Sequence, residues 1–153
     1  MSGFKLMALT AATLILAAGP VVAGPPDEDV EAVKKTIEDS YIRGVHMDRD
    51  VEAFNKGFHE DFTMFILQGQ SIRKMSKGEW ARAIEESRKK DPSPPKHKTE
   101  WDFPMVDVTG DAAVAKVEVY RDGTQIFSDY MSLYRFDDGW KIVGKIYHDH
   151  RKK

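Results

Sequence analysis

Asp129 interrupts an apolar, strand-like stretch between Phe127 and Met131. An acid buried at such a place is suited to general acid or base chemistry, because burial disfavours its charged form. The competing assignment is a structural ion pair with Lys145 on the following strand, and strand register decides between the two. If Asp137-Asp138 close a two-residue turn, Asp129 lies opposite Ile146 and Lys145 points to the other face. If Asp137-Asp138-Gly139 closes with Gly139 in a bulge, Asp129 faces Tyr147 and Lys145 becomes a same-face diagonal neighbour. Glycine suits the left-handed position of such a bulge, which favours the second register and the ion pair.

His59 is a second candidate catalytic residue, flanked by Glu60 and Asp61 where a helix hands over to a strand. An imidazole titrates near neutral pH and can shuttle protons. It can equally bond backbone carbonyls at the helix end. Tyr41, Phe62, Trp80, Trp101, Phe127, Tyr130 and Tyr147 form, with Phe65, an aromatic stock able to line a pocket for a planar ligand. At helical or strand spacing, most such rings are expected to be plain core. His148-Asp149-His150 sets two imidazoles on one side of an extended segment, a spacing compatible with a metal but without an evident third ligand, next to the basic end Arg151-Lys152-Lys153. A solvated tail accounts for it better. No metal site is therefore assigned. The motifs for dinucleotides, phosphate loops, zinc helices and serine nucleophiles are missing from the sequence, so no cofactor is called for.

These residues need elements to position them. The chain has 153 residues, 23 basic against 25 acidic side chains and no cysteine, which excludes disulfides, thiolate metal sites and a cysteine nucleophile. Near-neutral charge argues against a nucleic-acid partner. Lys5, the apolar run from Leu6 to Gly19, Pro20 and Val21-Val22-Ala23 have the form of a signal peptide. Residues 1–23 are expected to be removed after Ala23, giving a secreted or periplasmic protein with no integral membrane segment. A linker over 24–29, one domain over 30–148 and a basic tail over 149–153 would remain.

Val30, Val33, Ile37, Tyr41 and Val45 recur at helical steps of three and four. Asp50 is placed to cap a second, short helix presenting Val51, Phe54 and Phe58. Phe62 to Leu67 reads as a strand, with Ser71 to Met75 as its partner across a Gln68-Gly69-Gln70 turn. Ser76-Lys77-Gly78-Glu79 has the form of a capping box opening a third helix, whose apolar side carries Trp80, Ala83, Ile84 and Ser87. Asp91 to Pro95 cannot continue a helix. Arg88-Lys89-Lys90 and Lys96-His97-Lys98 make a basic patch around these prolines, readable as a solvated loop. Four strands follow, Lys98–Val108, Ala112–Arg121, Gln125–Phe136 and Trp140–His148, and the tight turns between them force an antiparallel meander. The fold class is α+β: three helices of the N-terminal half on a strongly curved, mostly antiparallel sheet, with a concavity between the layers.

This order, with Tyr41-Ile42-Arg43-Gly44, Phe58-His59-Glu60-Asp61-Phe62, Val108 to Val117, Phe127-Ser128-Asp129-Tyr130-Met131-Ser132-Leu133 and Gly139 to Lys145, resembles the putative lumazine-binding family of the nuclear transport factor two-like superfamily, alongside SnoaL-type cyclases and ketosteroid isomerase. The resemblance spans Val30 to Tyr147. It implies a cone-shaped α+β barrel with a pocket at its open end, and a homodimer formed through the sheet. Three functions follow as expectations. The first is an exported protein that binds a small, mostly apolar or aromatic molecule. The second is a cofactor-free isomerase, cyclase or hydrolase in which Asp129 or His59 moves a proton while Tyr41 or Tyr130 steadies negative charge. The third is a dimeric interaction domain without a ligand.

Overall fold

A computed structural model describes residues 27–152. The expected signal segment 1–23 and residues 24–26 of the expected linker lie outside them. The helix α1 spans Asp27–Ile37 and continues without a break as a π-helical segment, Glu38–Met47. It begins inside the expected linker, and Arg135 ties its start to the sheet by donating to Asp29 Oδ1 at 2.7 Å. Helix α2 covers Val51–Gly57, capped as expected by Asp50, which accepts from the Glu52 and Ala53 amides. Helix α3 covers Lys77–Lys90 behind the Ser76/Glu79 capping box. Among the described residues no helix is long and apolar enough to cross a membrane.

The strands are β1 (Phe58–Gln68), β2 (Ser71–Ser76), β3 (Thr99–Thr109), β4 (Ala112–Arg121), β5 (Thr124–Phe136) and β6 (Gly139–Asp149). They form one sheet in the order β2-β1-β6-β5-β4-β3. The last four make the expected meander; Asp122 and Gly123 both have positive φ, as a two-residue hairpin with the strands' own twist demands. β1 pairs with β6 in parallel and with β2 antiparallel. Bulges bend the ladder, but the cone does not close, and β2 and β3 remain as edges. The three helices cover its concave face. Val33, Ile37, Tyr41, Ile42, Phe54 and Ile84 meet Phe62, Met64, Val117, Met131, Leu133 and Ile142 there.

Three local expectations need correction. Phe58 does not belong to the second helix: α2 ends at Gly57 and Phe58 opens β1, fully buried, which places His59 on the strand. The first helix is not α-helical throughout. Asp48 N–H donates to Arg43 O at 2.7 Å, a bond five residues back, and the wider turn buries Ser40, Tyr41, Ile42 and Gly44 together. Asp149 belongs to β6 rather than to the basic tail; His150 and Arg151 beyond it are exposed, as a solvated end requires, yet held at points: Asp149 accepts from Arg151, whose guanidinium lies 4.6 Å from the Phe127 ring centre, and His150 Nε2 is 3.0 Å from Ser128 Oγ.

The junction of the helices depends on Gly57. A Cβ there would overlap Ser40 Oγ and Cβ. Gly57→Ala is therefore expected to destabilise the fold by about 1–3 kcal/mol, the usual cost of overpacking. The urea midpoint measures it; an unchanged midpoint would mean that the helices do not meet as described.

Candidate functional site

Asp129 and Lys145 are the buried charged side chains among the described residues, at 0% and 4% exposure. Register brings them together. Asp129 pairs with Tyr147, so Lys145 is its same-face diagonal neighbour. The register is the favoured one, but its origin differs. Gly139 has φ +109 yet pairs directly with Phe136 across the two-residue Asp137-Asp138 turn. The extra residue is Val143, between the pairs Ser132↔Gly144 and Leu133↔Ile142. This bulge shifts the outer half of β6 by one residue and turns Lys145 inward.

Lys145 Nζ donates to Asp129 Oδ1. Tyr41 OH, from the π-helical segment, donates to Asp129 Oδ2 at 2.6 Å. Both carboxylate oxygens are thus engaged by protein donors. The ammonium is enclosed by rings, with centroids at 4.5 Å for Tyr147, 5.0 Å for Tyr41, 5.8 Å for Phe127 and 5.9 Å for Trp80. These separations place it in the range of cation–π attraction. Burial pushes the Lys145 pKa below that of an ordinary lysine, and the Asp129 carboxylate opposes that shift. Burial, and secondarily Asp129, hold the Tyr41 hydroxyl protonated to well above its usual range. Trp80, Phe127 and Tyr147 are half-buried and form the exposed side of this box; Tyr41 and the carboxylate lie beneath.

The remaining candidates lie elsewhere. Phe62 is fully buried and packs edge-on to Phe58 at 4.9 Å, as core under Trp80. Trp101 is half-buried, and its indole donates to Glu38 Oε1 at 3.0 Å, fastening β3 to the helix. Tyr130 follows Asp129 in the strand and so faces outward, 45% exposed. It is not in the box. His59 is stacked on Phe136 with ring centres 4.6 Å apart, and its Nδ1 accepts from the Asp61 amide at 3.2 Å. Phe136 is seven residues beyond Asp129 along β5, roughly 23 Å of strand. His59 therefore cannot share a reaction centre with Asp129.

His46 joins the site without being marked by the sequence. The His46 ring stands edge-on to Tyr41 at 4.8 Å and 5.9 Å from Phe127. An α-helix would rotate residue 46 about 140° away from residue 41. The π turn stacks them instead, and no single-residue signal in the sequence announces that turn. Burial first, then Lys145, Arg121, His97 and Arg151, lower the His46 pKa to about 3.

A surface cavity of about 670 Å³ lies apart from this box, between the π-helical segment, α2 and the start of β6. Its charges are largely paired: Lys56 with Glu52, Lys141 with Asp138, Asp39 with Lys35 and Arg43, and Asp50 with the α2 amides. Among the described residues no three His, Asp or Glu side chains converge as metal ligands would.

The fold is that of the nuclear transport factor two-like class. NTF2-like proteins of unknown function from Silicibacter pomeroyi (19% identical, 81% of this chain and 98% of that one, TM-score 0.66), Shewanella baltica (17%, 81% and 95%, 0.63) and Methylobacillus flagellatus (21%, 82% and 95%, 0.60) share it. The model of the putative lumazine-binding family matches residues 28–148, and the chain belongs to that family. No curated protein matches the chain.

Proposed function

We propose that this is an exported small-molecule-binding protein. Its ligand, small and mostly apolar or aromatic, lies against the rings of Trp80, Phe127 and Tyr147, with Lys145 as the polar contact beneath. One observation carries this reading: a lysine, an acid and a tyrosine are buried together under half-exposed rings. Replacing a buried ion pair with apolar residues is often neutral or stabilising, so this set is hard to explain by stability alone. Such clusters concentrate at functional sites. Binding is favoured over proton transfer because both Asp129 oxygens are already held, by Lys145 and Tyr41. Lumazine, the molecule in the family's name, is the first probe to try, as a planar heteroaromatic. Tryptophan fluorescence is expected to change saturably with it or with a similar bicycle, and Trp80→Phe to remove most of the signal. A response that persists undiminished in Trp80→Phe would place binding elsewhere.

Export rests on the pattern of residues 1–23, and a mature chain beginning at Gly24 is its expected mass-spectrometric signature. The protein is further proposed to be a homodimer through the outer face of the sheet. Phe65, Met105, Tyr130 and Ile146 line an apolar depression of about 400 Å³ there, each at least 37% exposed. Exposed apolar surface of this kind marks interaction sites. Light scattering is expected to give a dimer for the natural sequence and a monomer for Ile146→Glu; a monomeric natural sequence would refute this.

A further inference from the structure

The basic patch around the prolines has a structure that the proposed function does not use. The end of the π-helical segment, the connection before α2, the end of α3, the proline-rich connection and the end of β4 enclose a cleft of about 350 Å³. Its lining includes His46, Arg49, Lys96, His97 and Arg121, with Asp91 as the acid. Asp91 Oδ1 is occupied by the Ser93 amide at 3.0 Å, where it shapes the loop. Asp122, which also acts on His97, accepts the Lys98 amide at 2.9 Å.

Four nitrogens of this lining are buried without a hydrogen-bond partner: His46 Nε2, Arg49 Nε, His97 Nε2 and Arg121 Nε. Buried polar atoms are ordinarily satisfied, and four exceptions in one cleft require a common explanation. The Arg49 guanidinium is fixed, since its Nη1 donates to Ser87 O at 3.3 Å and its Nη2 to Ser93 O. What remains of it is an oriented, charged N–H. Neither Arg49, Lys96 nor Arg121 joins an ion pair among the described residues, although Lys56, Lys141 and Arg135 all do.

We propose that this cleft binds an oxyanion, the carboxylate or phosphate group of a small acidic molecule, through Arg49, His97 and Arg121, with His46 as its inner wall. Guanidinium and imidazole donors around a half-open space supply the charge-assisted hydrogen bonds that such a group takes. The His46 ring, packed on Tyr41 and Phe127, stands between this cleft and the aromatic box, so the two can be tested separately.

The test is a nitrogen NMR titration of the full protein with sodium phosphate and, separately, sodium acetate, at constant ionic strength held with chloride. Saturable shifts are expected at the His46 and His97 imidazoles and at the Arg49 and Arg121 Nε–H groups. Saturation by one probe alone identifies the chemistry preferred. Arg121→Gln is expected to weaken the dissociation constant by about tenfold or more. Should that variant fail to fold, Arg49→Gln serves the same comparison. A linear response to both probes, or a dissociation constant unmoved by the substitution, overturns the proposal.

Discussion

Asp129→Leu alone is expected to cost about 3–5 kcal/mol of folding stability, because it strands the Lys145 ammonium in the interior. Lys145→Met alone leaves a buried carboxylate held only by Tyr41 and is expected to cost a similar amount. The double variant removes both charges from a site already walled by rings, and is expected to recover most of the loss, within about 1–2 kcal/mol of the natural protein. Urea denaturation of the four proteins in a double-mutant cycle reads the coupling directly. Additive losses would show that the two charges do not depend on one another. A folded double variant also separates stability from function, since it keeps the fold and lacks the polar floor of the box.

The second large effect is a dependence on pH that belongs to His46. In the unfolded chain its imidazole takes a proton near pH 6.5, whereas in the fold it does so only at about 3. Between these values the unfolded state binds more protons, so stability falls as acid is added across that window. Below pH 3 both states are protonated and no further loss comes from this group. Above pH 6.5 both are neutral and its contribution is flat. At pH 4 the loss from His46 is on the order of 3 kcal/mol. His46→Phe keeps a ring against Tyr41 and Phe127 but cannot titrate. Its stability difference between pH 7 and pH 4 is expected to be smaller than that of the natural protein by that amount. Identical slopes would mean that His46 is protonated in the fold, and would remove it from the buried wall.

Most of the architecture is legible in the sequence because it rests on short-range rules. The Ser76/Glu79 capping box, the Asp50 cap and the Asp122-Gly123 turn each satisfy local backbone demands, and their elements form as the residues indicate. Asp129 is conspicuous for the same reason, as an acid in an apolar strand. The failures arise where distant packing overrides local pattern. The π turn depends on burying Tyr41 and Ile42 together against the sheet, so neither it nor the His46–Tyr41 contact shows in α-helical periodicity. The slip that turns Lys145 inward comes from Val143, an ordinary strand residue, while the residue that invited a bulge, Gly139, keeps a regular pair. Tyr130 and Trp101 have the same residue character as Tyr147 and Trp80. Only the side of the strand in one case, and the bond to Glu38 in the other, divides them from the box.

Native mass spectrometry of the protein recovered from its own cells tests the central claim most directly. A noncovalently retained small molecule is expected on the natural protein, and a bare mass on the folded Asp129→Leu/Lys145→Met variant. A bare natural protein, or equal retention by both, would contradict the assignment of the lysine-floored aromatic box as a ligand seat.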